Sequence, residues 1–304
     1  MDFDVIDFMG FNTRYKQLNS ALPGAEEGIA RRIDGIQIRT WEPTGEVDDV
    51  LVIYHGGGVN SDAGYDIPAR QISQRESVCV CLVDIRGHGE SSGPEGHISH
   101  PEQIWRDVDT VIELLADTFP SARIHLLGHS SGGGMLINYF TRHTPCQKID
   151  SLILLAPELG PFAPANLFRK TASPFASVNK WPFILNALSR GMICGASLAV
   201  RLNFPETVLS VRPDFVRRYS VNMANALTPR QPARQISALT LPVSLLFAEQ
   251  DELTDAWEMK SFIEECGNPN LFCSIIRQCN HLESIFEAGD SIEQHFARFD
   301  RLRA

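Results

Sequence analysis

The sequence predicts an α/β fold built on a mostly parallel sheet. Six short apolar runs, helical segments between them, and one long break in the alternation carry that prediction. The runs cover 50–58 ("VLVIYHGGG"), 78–84 ("VCVCLVD"), 124–130 ("IHLLGHS"), 151–157 ("SLILLAP"), 243–249 ("VSLLFAE") and 271–277 ("LFCSIIR"). Each is apolar enough to be buried on both faces, which is how strands of a helix-covered parallel sheet read. Strand–helix alternation then implies βαβ units.

Taken along the chain, "IARRIDGIQIRTWEP" (29–43) places Asp34-Gly35 between two alternating runs and predicts an antiparallel hairpin ahead of the parallel strands. Within 101–119, Ile104, Trp105, Val108, Val111, Ile112, Leu115 and Phe119 fall at helical spacing. Pro101 suits the first turn of that helix, and Ser99 with Glu102 resembles a capping box. About 85 residues then separate the strand ending near Pro157 from the one starting near Val243, too long a stretch for a loop. It shows helical pieces and many prolines but no strand pattern. The expected organisation is an N-terminal arm (1–27), a core made of 28–157 and 238–304, and a helical cap inserted at 158–237. The arm is apolar around Phe3 to Phe11; it would cover the cap, join two chains as a homodimer, or stay disordered.

Composition excludes several function classes. A formal net charge of −10 without a Lys/Arg run argues against nucleic acid as a partner. The start, "MDFDVIDFMG", lacks the basic, apolar and cleavage regions of a secretory signal. Seven cysteines without CxxC spacing, two of them (Cys79 and Cys81) on one face of a strand, read as buried free thiols, with a cytoplasmic location as the default. The most apolar stretch, 181–200, is broken by Asn186, Ser189, Arg190 and two glycines, so a lid or buried helix is expected there and no stable membrane span.

The chemistry-bearing stretch is "IHLLGHSSGGG" (124–134). A hydroxyl attacks a carbonyl only when a base takes its proton and donors hold the resulting oxyanion. Gly-x-Ser-x-Gly between strand and helix presents a serine on a turn so sharp that the flanking residues must be tiny. Ser130 has Gly128 and Gly132 in those places, whereas Ser131 would need His129 to fit one of them. Ser130 is therefore the nucleophile candidate, and the Ser131 backbone N–H points at the oxyanion. A second donor is expected in His55-Gly56-Gly57-Gly58; Gly57 is the choice and Gly58 the alternative. In such elbows the order is serine, acid, histidine. His281 follows the last strand, while His295 lies inside a helical pattern and reads as a surface or packing residue. Among Glu249, Asp251, Glu252 and Asp255, Asp251 lies two residues past its strand, and Asp255 with Glu258 reads as a helix cap. The expected triad is Ser130, Asp251 and His281.

With these residues placed, the chain resembles an α/β-hydrolase. The segment "DIRGHGESSGPEGHI" (84–98), together with "HGGG", "GHSSGG", "AEQDELT" and "NHLES", is similar to monoacylglycerol lipases and lysophospholipase-like serine hydrolases. That resemblance implies an eight-stranded mostly parallel sheet, a cap before the strand near Val243, and ester hydrolysis without metal or cofactor. It also implies that Arg86 and His88 structure their loop and that His129 packs beside the nucleophile. The expected partner is a small apolar ester, with Trp181, Phe183 and Met192 of the cap as substrate-binding candidates. Thioester, amide, lactone or carbon–carbon cleavage by the same triad remains open, as does cofactor-free oxygenation. A non-catalytic receptor is disfavoured because both serine and histidine are present.

Overall fold

The computed structural model describes residues 6–22, 28–74, 77–170 and 174–301. A helix, α1 (Phe8–Ala21), precedes the hairpin of β1 (Ile29–Ile33) and β2 (Ile36–Trp41). Asp34 and Gly35 both have positive φ, 46° and 81°, as a two-residue turn that follows the strand twist demands. The alternation continues through β3 (Asp49–Tyr54), α2 (Asp66–Ser73), β4 (Val78–Val83), α3 (Glu102–Thr118), β5 (Arg123–His129), α4 (Ser131–Arg142) and β6 (Ser151–Leu155). At the start of α3 no side chain caps the helix; the Ser99 N–H donates to Gln103 at 3.3 Å, so the expected reach-back falls on Gln103 and not on Glu102.

Residues 156–242 form more than helices. They include β7 (Ala176–Val178), α5 (Lys180–Leu188), β8 (Leu198–Leu202), α6 (Glu206–Leu209), β9 (Arg218–Ser220), α7 (Val221–Leu227) and α8 (Pro232–Ser237). The three strands make a separate antiparallel sheet in the order β7-β8-β9, which corrects the expectation of a strand-free insertion. Two of these strands have only three residues and carry serine or arginine, so neither alternation nor an apolar run announces them. The chain closes with β10 (Val243–Ala248), α9 (Ala256–Glu265), β11 (Leu271–Ile276), α10 (Ser284–Glu287) and α11 (Gly289–Arg301).

The main sheet has eight strands in the order β1-β2-β4-β3-β5-β6-β10-β11. From β4 to β11 all neighbours are parallel; only the hairpin edge is antiparallel. Two cores follow from the strand period of two. Val50, Val52 and Tyr54 of β3 pack with α3, α4, α7 and α9 on one face. Leu51 and Ile53 pack with α2, α10 and α11 on the other. The free thiols of Cys79 and Cys81 are buried in the first core. The arm is tied down: Phe11 of α1 stacks on Phe286 at 4.7 Å, and Phe8 lies 5.6 Å from Phe204. Residues 1–5 and 23–27 of the arm lie outside the described residues. Among the described residues no helix is long and apolar enough to cross a membrane.

Candidate active site

The parallel strands bring their C-terminal ends to one edge, where Gly57, Ser130, Asp251 and His281 follow β3, β5, β10 and β11. Ser130 sits between β5 and α4 with φ 51° and ψ −117°, a conformation an L-residue adopts only under constraint. The constraint is visible in its neighbours. The Ser130 N–H donates to Leu155 O at 3.0 Å, and its carbonyl accepts from Gly134 N at 3.2 Å and Glu158 N at 2.9 Å. A Cβ at Gly128 would sit 2.5 Å from Gly132 O, and one at Gly132 would sit 2.6 Å from the Tyr54 and His55 carbonyls. Glycine is therefore required at both.

His281, in the loop after β11, is 4% exposed. Its Nδ1 lies 2.8 Å from Asp251 Oδ2. The other carboxylate oxygen accepts the Leu253 and Thr254 N–H groups at 2.8 and 3.2 Å, which aims the carboxyl at the ring. Burial alone would lower the His281 pKa; the Asp251 charge and hydrogen bond outweigh it, with help from Glu252 and Glu158, and raise it. Burial would raise Asp251, but the His281 charge and hydrogen bond and the two N–H donors hold it low. His281 Nε2 has no protein partner among the described residues. Its ring lies 5.0 Å from that of His129, the residue before Ser130.

The remaining acid candidates have other tasks. Glu249 pairs with Arg277 and accepts the Gln278 N–H. Glu252 accepts the His281 backbone N–H at 2.9 Å and so fixes the loop that carries the ring. Asp255 caps α9 through Trp257 N and Glu258 N. His295 is buried far along α11, hydrogen-bonded to Ser151 and Ser244, and packs as expected of that helical position.

The glycine loop after β3 is held on both sides. The Gly56 N–H donates to Tyr65 Oη at 2.8 Å, and the Gly58 N–H donates to Tyr219 Oη. Among the described residues the Gly57 N–H has no acceptor, and neither has that of Ser131, at the first position of α4, where no intrahelical acceptor exists. A Cβ on Gly57 would lie 2.8 Å from Ser131 Oγ, so the two groups adjoin. Arg86 forms a bidentate pair with Asp107 at 2.7 and 2.8 Å and reaches the Asp34 carbonyl; it ties the hairpin to α3. His88 bonds Tyr219 Oη at 2.8 Å, and His129 bonds Tyr65 Oη at the same distance. Both tyrosines escaped sequence reasoning, because neither sits in a motif and their histidine partners lie far along the chain.

Of the substrate-binding candidates, Trp181 and Met192 are 71% and 83% exposed, and Phe183 is half-buried. Glu158, three residues past β6, accepts the Gly160 N–H at 2.7 Å, and its charge helps raise the His281 pKa; burial raises its own. Among the described residues no group of three His, Cys, Asp or Glu side chains is arranged to hold a metal ion.

Comparison with known proteins agrees with this architecture. Residues 45–287 match the hydrolase family described as "Serine aminopeptidase, S33". Human monoglyceride lipase is 26% identical over 223 residues, covering 72% of this chain and 70% of that protein. A soluble variant of monoglyceride lipase from Saccharomyces cerevisiae superposes with a TM-score of 0.66 at 16% identity, covering 89% of this chain and 95% of that one. The monoacylglycerol lipase of Paleococcus ferrophilus gives 0.60 at 19% identity, covering 87% and 97%. With the family pattern matched over most of its length, the chain belongs to the serine aminopeptidase family of α/β-hydrolases.

Proposed function

We propose that the protein is a serine hydrolase that cleaves carboxylic esters of apolar, lipid-like acyl groups through an acyl-enzyme. One observation carries the reading: His281 gives one ring nitrogen to the buried Asp251 at 2.8 Å and, among the described residues, keeps the other unfilled at the edge that presents Ser130. Ser130 Oγ attacks the carbonyl carbon while His281 Nε2 takes its proton. The Gly57 and Ser131 N–H groups hold the oxyanion. His281 returns the proton to the leaving alcohol, then takes one from water, which attacks the acyl-enzyme and releases the acid. Asp251 keeps the imidazole in the required tautomer and stabilises the imidazolium. No step calls for a metal or cofactor.

Residues 158–237 act as the cap, with Trp181, Phe183 and Met192 as contacts for the acyl chain. Exposed apolar side chains of this size suit an apolar ligand that covers them. The likeness to monoglyceride lipases points to lipid monoesters. Labelling with a fluorophosphonate and mass mapping tests the nucleophile: the adduct is expected on Ser130, and an adduct on Ser131 or on neither overturns the reading. Competition by a panel of esters then ranks substrates.

Glu158 favours amide bonds as the second reading. Its N–H is bonded to the Ser130 carbonyl, and its carboxyl accepts the Gly160 N–H at 2.7 Å and acts on His281 through its charge. A carboxyl there suits a substrate ammonium group. Nitroanilides of unblocked amino acids, included in the same panel, separate the two readings.

A further inference from the structure

The insertion reaches into the loop that follows β3 through one hydroxyl and one amide. Tyr219, in β9, is 4% exposed, and its oxygen accepts the Gly58 N–H. The Val216 N–H donates to the Gly58 carbonyl at 2.8 Å. Both polar backbone groups of a core glycine are thus taken up by the insertion. Gly58 has φ +77°, and a Cβ there would strike Leu202, Phe204 and the Val216 carbonyl, so the contact is close as well as polar. On the other side of Gly57, the Gly56 N–H is held by Tyr65 of the core.

The two tyrosines are wired alike. His129 Nε2 faces the His281 carbonyl at 3.3 Å, and His88 Nδ1 faces the Arg86 carbonyl at 3.3 Å. A ring nitrogen facing a carbonyl carries the proton, so the opposite nitrogen is an acceptor. Tyr65 therefore donates to His129 Nδ1 and Tyr219 to His88 Nε2, each at 2.8 Å. Burial lowers both histidines to about 3, which keeps the rings neutral and accepting at neutral pH. A hydroxyl that donates its proton is a stronger acceptor, so each glycine N–H enters a polarised chain. Three consecutive glycines have little stiffness of their own; the tyrosines supply it from outside.

We propose that Tyr219 is a positioning residue of the oxyanion site: by gripping Gly58 it orients the Gly57 N–H, so the insertion must be docked for the core to stabilise the oxyanion. The inference rests on the reading of Gly57 as an oxyanion donor. Tyr65–His129 holds the hole from the core side and Tyr219–His88 holds it from the insertion side. Lifting the insertion frees the N–H and the carbonyl of Gly58 together and leaves Gly57 unaligned.

Tyr219→Phe tests this, assayed with p-nitrophenyl butyrate and an alkyl trifluoromethyl ketone as transition-state analogue. Loss of a whole oxyanion donor costs about 10²–10³ in kcat, so a misaligned one is expected to cost about 10- to 100-fold. KM should stay within about twofold, and the ketone should weaken by the same factor as kcat, since the lost interaction exists only in the transition state. Tyr65→Phe should give the same signature. Unchanged kcat and ketone affinity in Tyr219→Phe overturn the proposal, and so does a higher KM at unchanged kcat, which would place Tyr219 against the substrate. If that variant does not fold, 2,3-difluorotyrosine at 219 keeps the ring and weakens the oxygen as an acceptor; the same two readouts decide. Wild-type protein that takes no fluorophosphonate at Ser130 fails the hydrolase reading instead, so the two failures are distinguishable.

Discussion

Two aspartate–histidine pairs stand at opposite ends of the same four strands. At the C-terminal edge, His281 lies 2.8 Å from Asp251. At the N-terminal edge, His125 Nε2 lies 2.9 Å from Asp49, at the start of β3. The distances barely differ, yet the surroundings do. His125 Nδ1 is filled by Ser151 Oγ at 2.6 Å, Ser151 meets His295 at 2.6 Å, and His295 meets Ser244 at 2.7 Å. Arg123 donates to both Asp49 oxygens, sharing one of them with His125. Both ring nitrogens of His125 and of His295 are filled, and a serine beside a histidine beside an aspartate is then only cohesion. At the upper edge one ring nitrogen has no protein partner among the described residues, and the serine is held on a strained turn. What separates a candidate active site from a structural network of the same residue types is an unfilled valence at a place a substrate can reach.

Matched substitutions test that contrast, and the largest effect is expected at the nucleophile. Ser130→Ala should lower kcat by about 10⁴ or more with the melting temperature unchanged, since triad members act as a unit. Ser151→Ala should keep activity and lose roughly 1–3 kcal/mol in denaturant titration, because it removes the hydroxyl that two buried histidines share. Equal losses of activity in the two variants would erase the distinction.

The carboxylates come next. Asp251→Asn is expected to cut kcat by about 10⁴ through the wrong tautomer, with little change in stability. Asp49→Asn weakens the two charge-assisted bonds to Arg123 and should cost roughly 1.5–3 kcal/mol, with kcat retained. Urea midpoints beside kcat values separate the two.

A smaller, pH-dependent effect follows from the histidines. His281 must be neutral to act as base, and its pKa is raised, so kcat/KM should climb with a midpoint above about 6.5. The same raised pKa means the protonated pair stabilises the fold at low pH, and that contribution fades as pH rises through the folded pKa. His295 runs the other way. Burial, with His125 and Arg298, lowers it to about 3, so the unfolded chain takes up its proton first and stability falls as pH drops from about 6.5 toward 3. His295→Gln keeps a donor and an acceptor but cannot titrate. A flatter acid limb of the melting temperature is expected, and an unchanged limb would remove His295 from the account.

The smallest effect is expected in the insertion. Trp181→Ala should raise KM for long-chain esters by about three- to tenfold and leave short esters untouched, the size of partial loss of one buried apolar contact. A stability loss without a KM change would assign Trp181 to the insertion's own packing.

The sheet and its upper edge were readable in sequence because both rest on local rules. Strands buried on two faces read as apolar runs, and a turn that tolerates no Cβ writes itself as glycines around Ser130. Asp251 and His281 followed from distance past a strand. The lower network did not show, since Asp49, His125, Ser151 and His295 meet only through the register of distant strands. Tyr219 was hidden for the same reason, and β7 and β9 because three-residue strands carry no periodicity. Exposure of Trp181 could not be read either: an apolar residue in a short helix looks the same whether it faces a core, a ligand or solvent.

The register of β5 has one consequence for change. His125 at its third residue joins the lower network, and His129 at its seventh stands beside Ser130. Cα partners on β3 and β6 fix both ends at once. The strand is a ruler of set length, so inserting or deleting one residue in it cannot be absorbed at either end. Such an event removes cohesion and chemistry together, whereas the half-exposed edge strand β11 offers slack. Tolerance to insertions should therefore vanish at the middle of the sheet and return toward its rim.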